Sequence, residues 1–480
     1  MSGTDFVLQS TRRKFFREVS FGLGNIALAD LLHIDQPASA AEPPALNPFQ
    51  PRRPHFAPKA KNIIFLFMEG GPSQLDLFDP KPELRKWDGK PLPESMTKDL
   101  RLAFIKPTAA VMASRRSFHP YGRCGMDFSE FLPHLATCAD DICMIRSLRS
   151  DAFNHHPGQL MLFTGTTQVG RPTIGSWVVY GLGSESRNLP GFVVLNSGRG
   201  ASAGANNWTC GFLPTVYQGT AIRSSGEPIP YLSNPPGVSE RLQRSVLDGL
   251  RKLNQAHYEE VGDGEIASRI ANYELGFRMQ AAAPELLDFS TEPQHVLDMY
   301  GVGQEPTNAF AVNCLLARRM IERGVRFVQL IHAGWDHHNE IERRLKEHCQ
   351  ATDGPAAALL KDLKQRGLLE NTLLVWGGEF GRTPMVQLDK PQEANTAGRD
   401  HHPNAYTMWL SGGGIKGGQV VGRTDDLGMT IVEDKVEIHD LQATVLHCLG
   451  FDHKRLTFRH MGRDFLLTDV AGEVKTKLLA

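Results

Sequence analysis

The 480-residue chain is short of several things that would narrow its function. It has no apolar run close to the roughly 20 residues needed to cross a bilayer as a helix, which excludes a transmembrane helix in the mature protein. It has no excess charge of either sign. Fifty-two basic residues against fifty-three acidic ones leave a net −1, and no long basic run is present to track a phosphate backbone. That balance argues against nucleic acid as a partner. Cysteine is sparse: seven residues, odd in number and without a C-x-x-C pair, which argues against a zinc ribbon or a dense disulfide framework. A single bridge, Cys138 to Cys143 or Cys124 to Cys138, is compatible with the spacing. No H-E-x-x-H spacing, internal repeat or low-complexity tract is present either.

What is present begins at the N-terminus. Arg12-Arg13 precedes a mildly apolar segment and then Ala38-Ser39-Ala40, the pattern of a twin-arginine export signal over residues 1–40 with a small-residue cleavage site. An amphipathic helix is the competing reading, since Glu18 and Asp30 lie in or beside the segment. Export implies work in the periplasm or at the cell surface. Residues 41–61 are rich in proline and poor in large apolar side chains, which suits an extended linker. A folded α/β domain is expected over 62–470.

Within that domain, continuous apolar runs predict strands buried on both faces: 62–68, 141–148, 325–331 and 371–376, with 192–196 and 405–410 as further candidates. Helical patterns over 264–282, 308–324 and 339–367 alternate with them. That alternation predicts a mostly parallel sheet with helices on both faces, and ligands in such folds sit outside the carboxyl ends of the strands. Residues 197–262, rich in Gly, Ser, Asn and Pro, read as an insertion or lid over that edge.

Three polar clusters follow strands: "EGGPSQLD", "HAGWDHH" and "GGEFGRTP". Six of the eighteen histidines also occur as doublets, at 155–156, 337–338 and 401–402. Mixed imidazole and carboxylate donors suit a divalent transition metal such as Zn or Mn better than Ca or Mg. The candidate ligands are Asp76, Asp336, His338, Glu379 and His401. Each piece also has a plain structural reading. Asp336 can cap the next helix while Trp335 packs inward, Asn154 can cap a helix starting at His155, Arg382 can pair with Glu379, and Asp400 can pair with Arg399.

Taken together, "FLFMEGGPSQLDLFDPKP", "NHHPGQLMLFTG", "GWDHHNE", "GGEFGRTP", "GRDHHPNAYTMWLSGGGIKGGQVVGRTDDLG" and "DLQATVLHCLG" resemble the domain of unknown function 1501 family, sulfatase-like exported bacterial proteins of the alkaline phosphatase superfamily. The resemblance implies a three-layer αβα sandwich, alkaline-phosphatase-like, with metal ligands at the carboxyl edge of the sheet. By position it implies Glu69 or Asp76, Asp336 and His338, Glu379, and His401 as ligands. Two departures stand out: Ser73 is followed by Gln74 where an imidazole is usual, and the nucleophile position counts back from Thr164-Gly165 to His155. No Cys, Ser or Thr lies between Asp151 and Phe163.

The chemistry expected is metal-assisted hydrolysis of a phosphate or sulfate ester, of a small molecule or a glycan, with His155 as an acid–base or nucleophilic group. Arg382, and Arg399 with it, would hold the anion. The rival reading is a non-catalytic binding or scaffold protein of the cell envelope. The oligomeric state is left open.

Overall fold

The computed structural model describes residues 47–97, 102–223, 229, 232–387 and 396–480. The expected export signal lies outside them. All the described residues belong to one compact unit, Asn47–Ala480.

The six apolar runs do form strands of one sheet. They are β1 (Asn62–Glu69), β2 (Cys143–Arg149), β3 (Phe192–Ser197), β5 (Phe327–Ala333), β6 (Thr372–Gly377) and β9 (Tyr406–Ser411). Shorter strands β4 (Thr220–Arg223), β10 (Gln419–Val421) and β11 (Val436–Glu437) extend it. The spatial order is β10-β2-β9-β6-β1-β5-β3-β4, with β11 beside β2. Pairing is parallel throughout except around β9, which runs antiparallel to both β2 and β6.

Side chains alternate across this sheet, and the two faces build two cores. One face (Ile64, Leu66, Met68, Val328, Leu330, Leu374 and Trp376) packs under α5 (Asn308–Glu322) and α6 (Ile341–Gln365). The other (Ile63, Phe65, Phe67, Phe327, Ile331, Leu373 and Val375) packs under α1 (His155–Thr164), α2 (Ile174–Leu182) and α7 (Ile438–Cys448). Strands with apolar residues on both faces therefore have a place for each of them. The result is an αβα sandwich. Among the described residues no helix is long and apolar enough to cross a membrane.

Several expectations are corrected. All seven cysteines are free thiols and six are buried, so neither proposed bridge exists. From Asn47 onward the proline-rich stretch is not a free linker. Phe49 is buried, and Arg52, Phe56, Lys59 and Ala60 donate backbone bonds to Leu182, Gly450 and Cys448. Residues 197–262 are more than a lid, because they include β4 at the sheet edge and the long helix α3 (Glu240–Val261), which packs on α4 (Gly264–Leu287).

One element escapes any apolar-run reading. β7 (Gly381–Gln387) and β8 (Gly398–His402) form a separate two-stranded antiparallel hairpin, buried over most of its length, with a register shift between Arg399 and His401. It carries "GRTP" and "GRDHH" to the carboxyl edge of the sheet.

Candidate metal centre

Register brings the polar clusters together. Glu69, the last residue of β1, pairs with Ala333 at the end of β5, so the β1 turn and the "GWDHH" turn leave the sheet side by side. Gly70 adopts φ +116, and a Cβ there would collide with the backbone of Trp335 and Asp336. Only glycine permits that approach. The turn from β6 delivers Glu379, β8 delivers His401, and the first turn of α1 delivers His155.

Asp336, His338, His401 and His155 converge, each with a ligand atom within 4.8 Å of the others. Asp336 Oδ1 is the hub, lying 2.8 Å from His338 Nε2, 3.1 Å from His155 Nε2 and 3.5 Å from His401 Nε2. The outer nitrogens of two rings are already engaged. His401 Nδ1 donates to the Phe153 carbonyl at 2.7 Å, and His338 Nδ1 lies 2.6 Å from Gln387 Oε1.

This has a direct chemical consequence. A neutral imidazole that donates through Nδ1 presents a lone pair at Nε2, and burial pushes the His401 pKa down to about 4, so that ring is neutral. The two Nε2 atoms face one another at 2.9 Å beside a carboxylate. Two imidazole nitrogens and a carboxylate oxygen so close together need either a shared proton or a cation between them. His155 Nε2 adds a fourth donor: it is buried, and no hydrogen bond satisfies it despite the nearby Asp336 oxygen. Three imidazoles and one carboxylate, two of the imidazoles oriented from behind by acceptors, fit a four-coordinate transition metal.

Without a cation, protons and the arginine must serve instead. Burial would lower the His155 pKa, but its contacts with Asp336 and Glu379 dominate and push it up to about 9. Burial would likewise raise the Asp336 pKa, yet the three imidazoles and Arg382 hold that carboxyl far below its ordinary range.

A second group lies behind the first and shares His155. His155 Nδ1 is 2.6 Å from Glu379 Oε1, and Glu69, His155 and Glu379 also come within 4.8 Å of one another. Glu379, fully buried, accepts from the Gly70 amide through both oxygens at 3.2 Å. Glu69 accepts from Gln159 Nε2 at 2.9 Å and from the Ser202 amide at 3.3 Å, while its Oε2 is buried and unpartnered. Burial and the charge of Glu379 both raise the pKa of Glu69.

The residues expected from sequence are thus redistributed. Asp336, His338 and His401 meet, with His155 among them rather than apart as a nucleophile. Glu379 joins through His155. Asp76 lies outside both groups: Arg399 grips it (Nε to Oδ2, 2.8 Å) and Ser73 Oγ donates to it at 2.6 Å. Arg382 is not turned out toward a substrate. Its guanidinium donates to the Gly70, Gly71 and Arg399 carbonyls and to Asp336 Oδ1 (2.6 Å), and the side chain is fully buried. It therefore orients Asp336 and pins the hairpin to the β1 turn. Gln74 is a brace here, exchanging hydrogen bonds with the Arg382 backbone in both directions.

The plain readings fare unevenly. Asn154 occupies the N-cap position of α1 but makes no side-chain cap. Trp335 does pack inward, yet Glu340, not Asp336, stands at the start of α6. Sequence reasoning missed Gln159, Ser202 and Gln387. Gln159 follows His155 by four residues on α1 and so shares its helix face, which is a legible signal; the other two carry none.

A family model described as "Protein of unknown function (DUF1501)" matches residues 60–479, nearly the whole described chain. The chain belongs to that family. Solved structures that overlap this DUF1501 protein include three of low identity. They are the lipoteichoic acid synthase LtaP from Listeria monocytogenes (10% identity, TM-score 0.34, 86% of this chain and 76% of that one), the PsFucS1 sulfatase from Pseudoalteromonas sp. (13%, 0.37, 89% and 72%), and a protein in the alkaline phosphatase superfamily from Vibrio parahaemolyticus (9%, 0.31, 86% and 72%). These superpositions are loose. No curated protein matches the DUF1501 sequence.

Proposed function

We propose that the protein is a metal-dependent hydrolase of phosphate or sulfate esters that works outside the cytoplasm after export. One observation carries the reading: ligand atoms of Asp336, His338, His401 and His155 converge to within 4.8 Å of one another, with the His338 and His401 Nε2 atoms 2.9 Å apart. Asp336, His338, His401 and His155 would hold the ion, with Zn or Mn favoured over Ca or Mg by the three nitrogen donors. A bound divalent ion of this kind supplies Lewis acidity and lowers the pKa of coordinated water toward ~7. The chain's own part is to fix the ligands. Gln387 and the Phe153 carbonyl orient two imidazoles, Arg382 holds Asp336, and Glu379 holds His155.

A specific observation supports the second reading, a binding protein without turnover. Both arginines that sequence suggests for anion binding are committed to buried protein acceptors, Arg382 as above and Arg399 to Asp76, Met112 and Thr383.

The test is metal analysis of the purified protein with the His338→Ala and His401→Ala variants, followed by a panel of aryl phosphates, phosphodiesters and aryl sulfates with added Zn or Mn. One equivalent of metal in the wild type, lost in both variants, together with turnover of one ester class, is expected. Metal without turnover of any ester selects the binding protein, and no metal in protein purified without chelator removes the proposal.

A further inference from the structure

An aromatic ring stands at the mouth of the cluster that packing does not explain. Phe104 is 61% exposed, yet its centroid lies 5.4 Å from both His338 and His401, nearly perpendicular to each ring. A large apolar side chain held in water forfeits the burial that usually places phenylalanine inside. It is not held there loosely. Asp400, fully buried and adjacent to the ligand His401, accepts the backbone amides of Ala103, Phe104 and Ile105 at 3.0, 2.9 and 3.3 Å through one oxygen. Its other oxygen accepts the His401 amide at 2.8 Å. A single buried carboxylate thus fixes the phenylalanine and the ligand in one register. A second exposed phenylalanine, Phe153, contacts the same histidine through its carbonyl.

We infer that Phe104 is a stacking platform for the organic group of the substrate. The ester taken by this site therefore carries a ring with an apolar face, a sugar or an aryl ring, next to its phosphate or sulfate. The inference rests on the ester-hydrolase reading. Its physical basis is that ring faces gain from offset or edge contact with an aromatic beyond simple area burial. The committed arginines add to the case. With Arg382 and Arg399 turned inward, affinity for the organic portion has to come from elsewhere at the mouth, and Phe104 is the large apolar surface available at the two ligand histidines.

The experiment measures calorimetric binding of methylphosphonate, phenylphosphonate and a glucosyl phosphonate to the zinc-loaded full chain, in wild type, Phe104→Ala and Phe104→Trp, with a zinc titration of each. A ring-bearing phosphonate is expected to bind roughly five- to tenfold more tightly than methylphosphonate. That preference should vanish in Phe104→Ala and persist in Phe104→Trp, with zinc affinity the same in all three. Whichever ring binds more tightly identifies the ring class. Equal binding of all three phosphonates to the wild type overturns the platform and leaves the ester reading standing. Zinc binding without any phosphonate binding overturns both. If Phe104→Ala weakens zinc itself, the ring only shields the ligands, and the platform is wrong.

Discussion

Two aspartate–arginine pairs sit at the same edge of the sheet, with Asp76 buried and Asp336 half-buried, and they look alike in sequence. Asp76 follows β1 and is gripped by Arg399; Asp336 follows β5 and is gripped by Arg382, and both arginines come from the β7–β8 hairpin. Around Asp76 every neighbour is a donor, the guanidinium and the Ser73 hydroxyl, so its negative charge is answered and the site is closed. Around Asp336 three imidazoles stand beside the guanidinium, and their nitrogens can either carry a proton or coordinate a cation. The carboxylate proposed as a metal ligand differs from the structural one in the nitrogens around it, since both are paired with a buried arginine.

The sharpest way to break the comparison is to remove each aspartate. Asp336→Ala and Asp76→Ala each leave a buried guanidinium without its counter-charge, and each should cost about 3–5 kcal/mol by denaturant titration. Only Asp336→Ala should also lose the metal, measured as ion per folded chain. Equal metal loss in both variants would erase the distinction.

A smaller effect separates the two by pH in chelator-treated protein. The His155 pKa, near 9 against an ordinary 6.5, is raised by Asp336 and Glu379 against the effect of burial, with Glu69 and His401 also facing it. Its stabilising contribution is complete below about pH 6.5 and is lost as pH rises through about 9, amounting to at most about 3 kcal/mol. Stability should therefore decline between pH 7 and 9, by no more than about 1.4 kcal/mol per unit. His155→Gln should flatten that decline, whereas Asp76→Asn should leave its slope intact. His401 acts in the opposite window: its pKa is depressed to about 4, so folding opposes its protonation and stability falls as pH drops below about 6.5.

The smallest effects concern residues one step removed. Gln387→Ala frees the outer nitrogen of His338 and should weaken metal binding about tenfold, read by competition with a chromophoric chelator. His156→Ala, at the exposed partner of His155, should change stability by less than about 0.5 kcal/mol and leave the metal content untouched.

The sheet was legible because a strand sandwiched between two helical layers is buried at every position and so mostly apolar, as β1, β5 and β6 are. The helices α4, α5 and α6 were legible for the complementary reason, a repeating apolar stripe. The β7–β8 hairpin was not, since strands that carry Arg382, Arg399, Asp400 and His401 in a buried setting read as polar loops. Asp336, His338 and His401 could be picked out because their residue types are costly to gather without a purpose. The inward aim of Arg382 and Arg399 could not, because a guanidinium reads the same whether it faces an anion or a carbonyl. The cluster at Glu69 was only half visible, as its partners Gln159 and Ser202 are ordinary polar residues on separate elements.

The four consecutive residues Arg399 to His402 serve four different neighbours: Asp76, the 103–105 backbone, the ligand cluster and the Gly428 carbonyl. A strand sends alternate side chains to opposite faces, so losing or gaining one residue here would exchange every assignment at once. The register shift between Arg399 and His401 has already fixed that count. Substitutions in this strand can be absorbed one neighbour at a time, but its reading frame is a single inherited unit, and lengthening or shortening it would dismantle the centre and its fastening in one event.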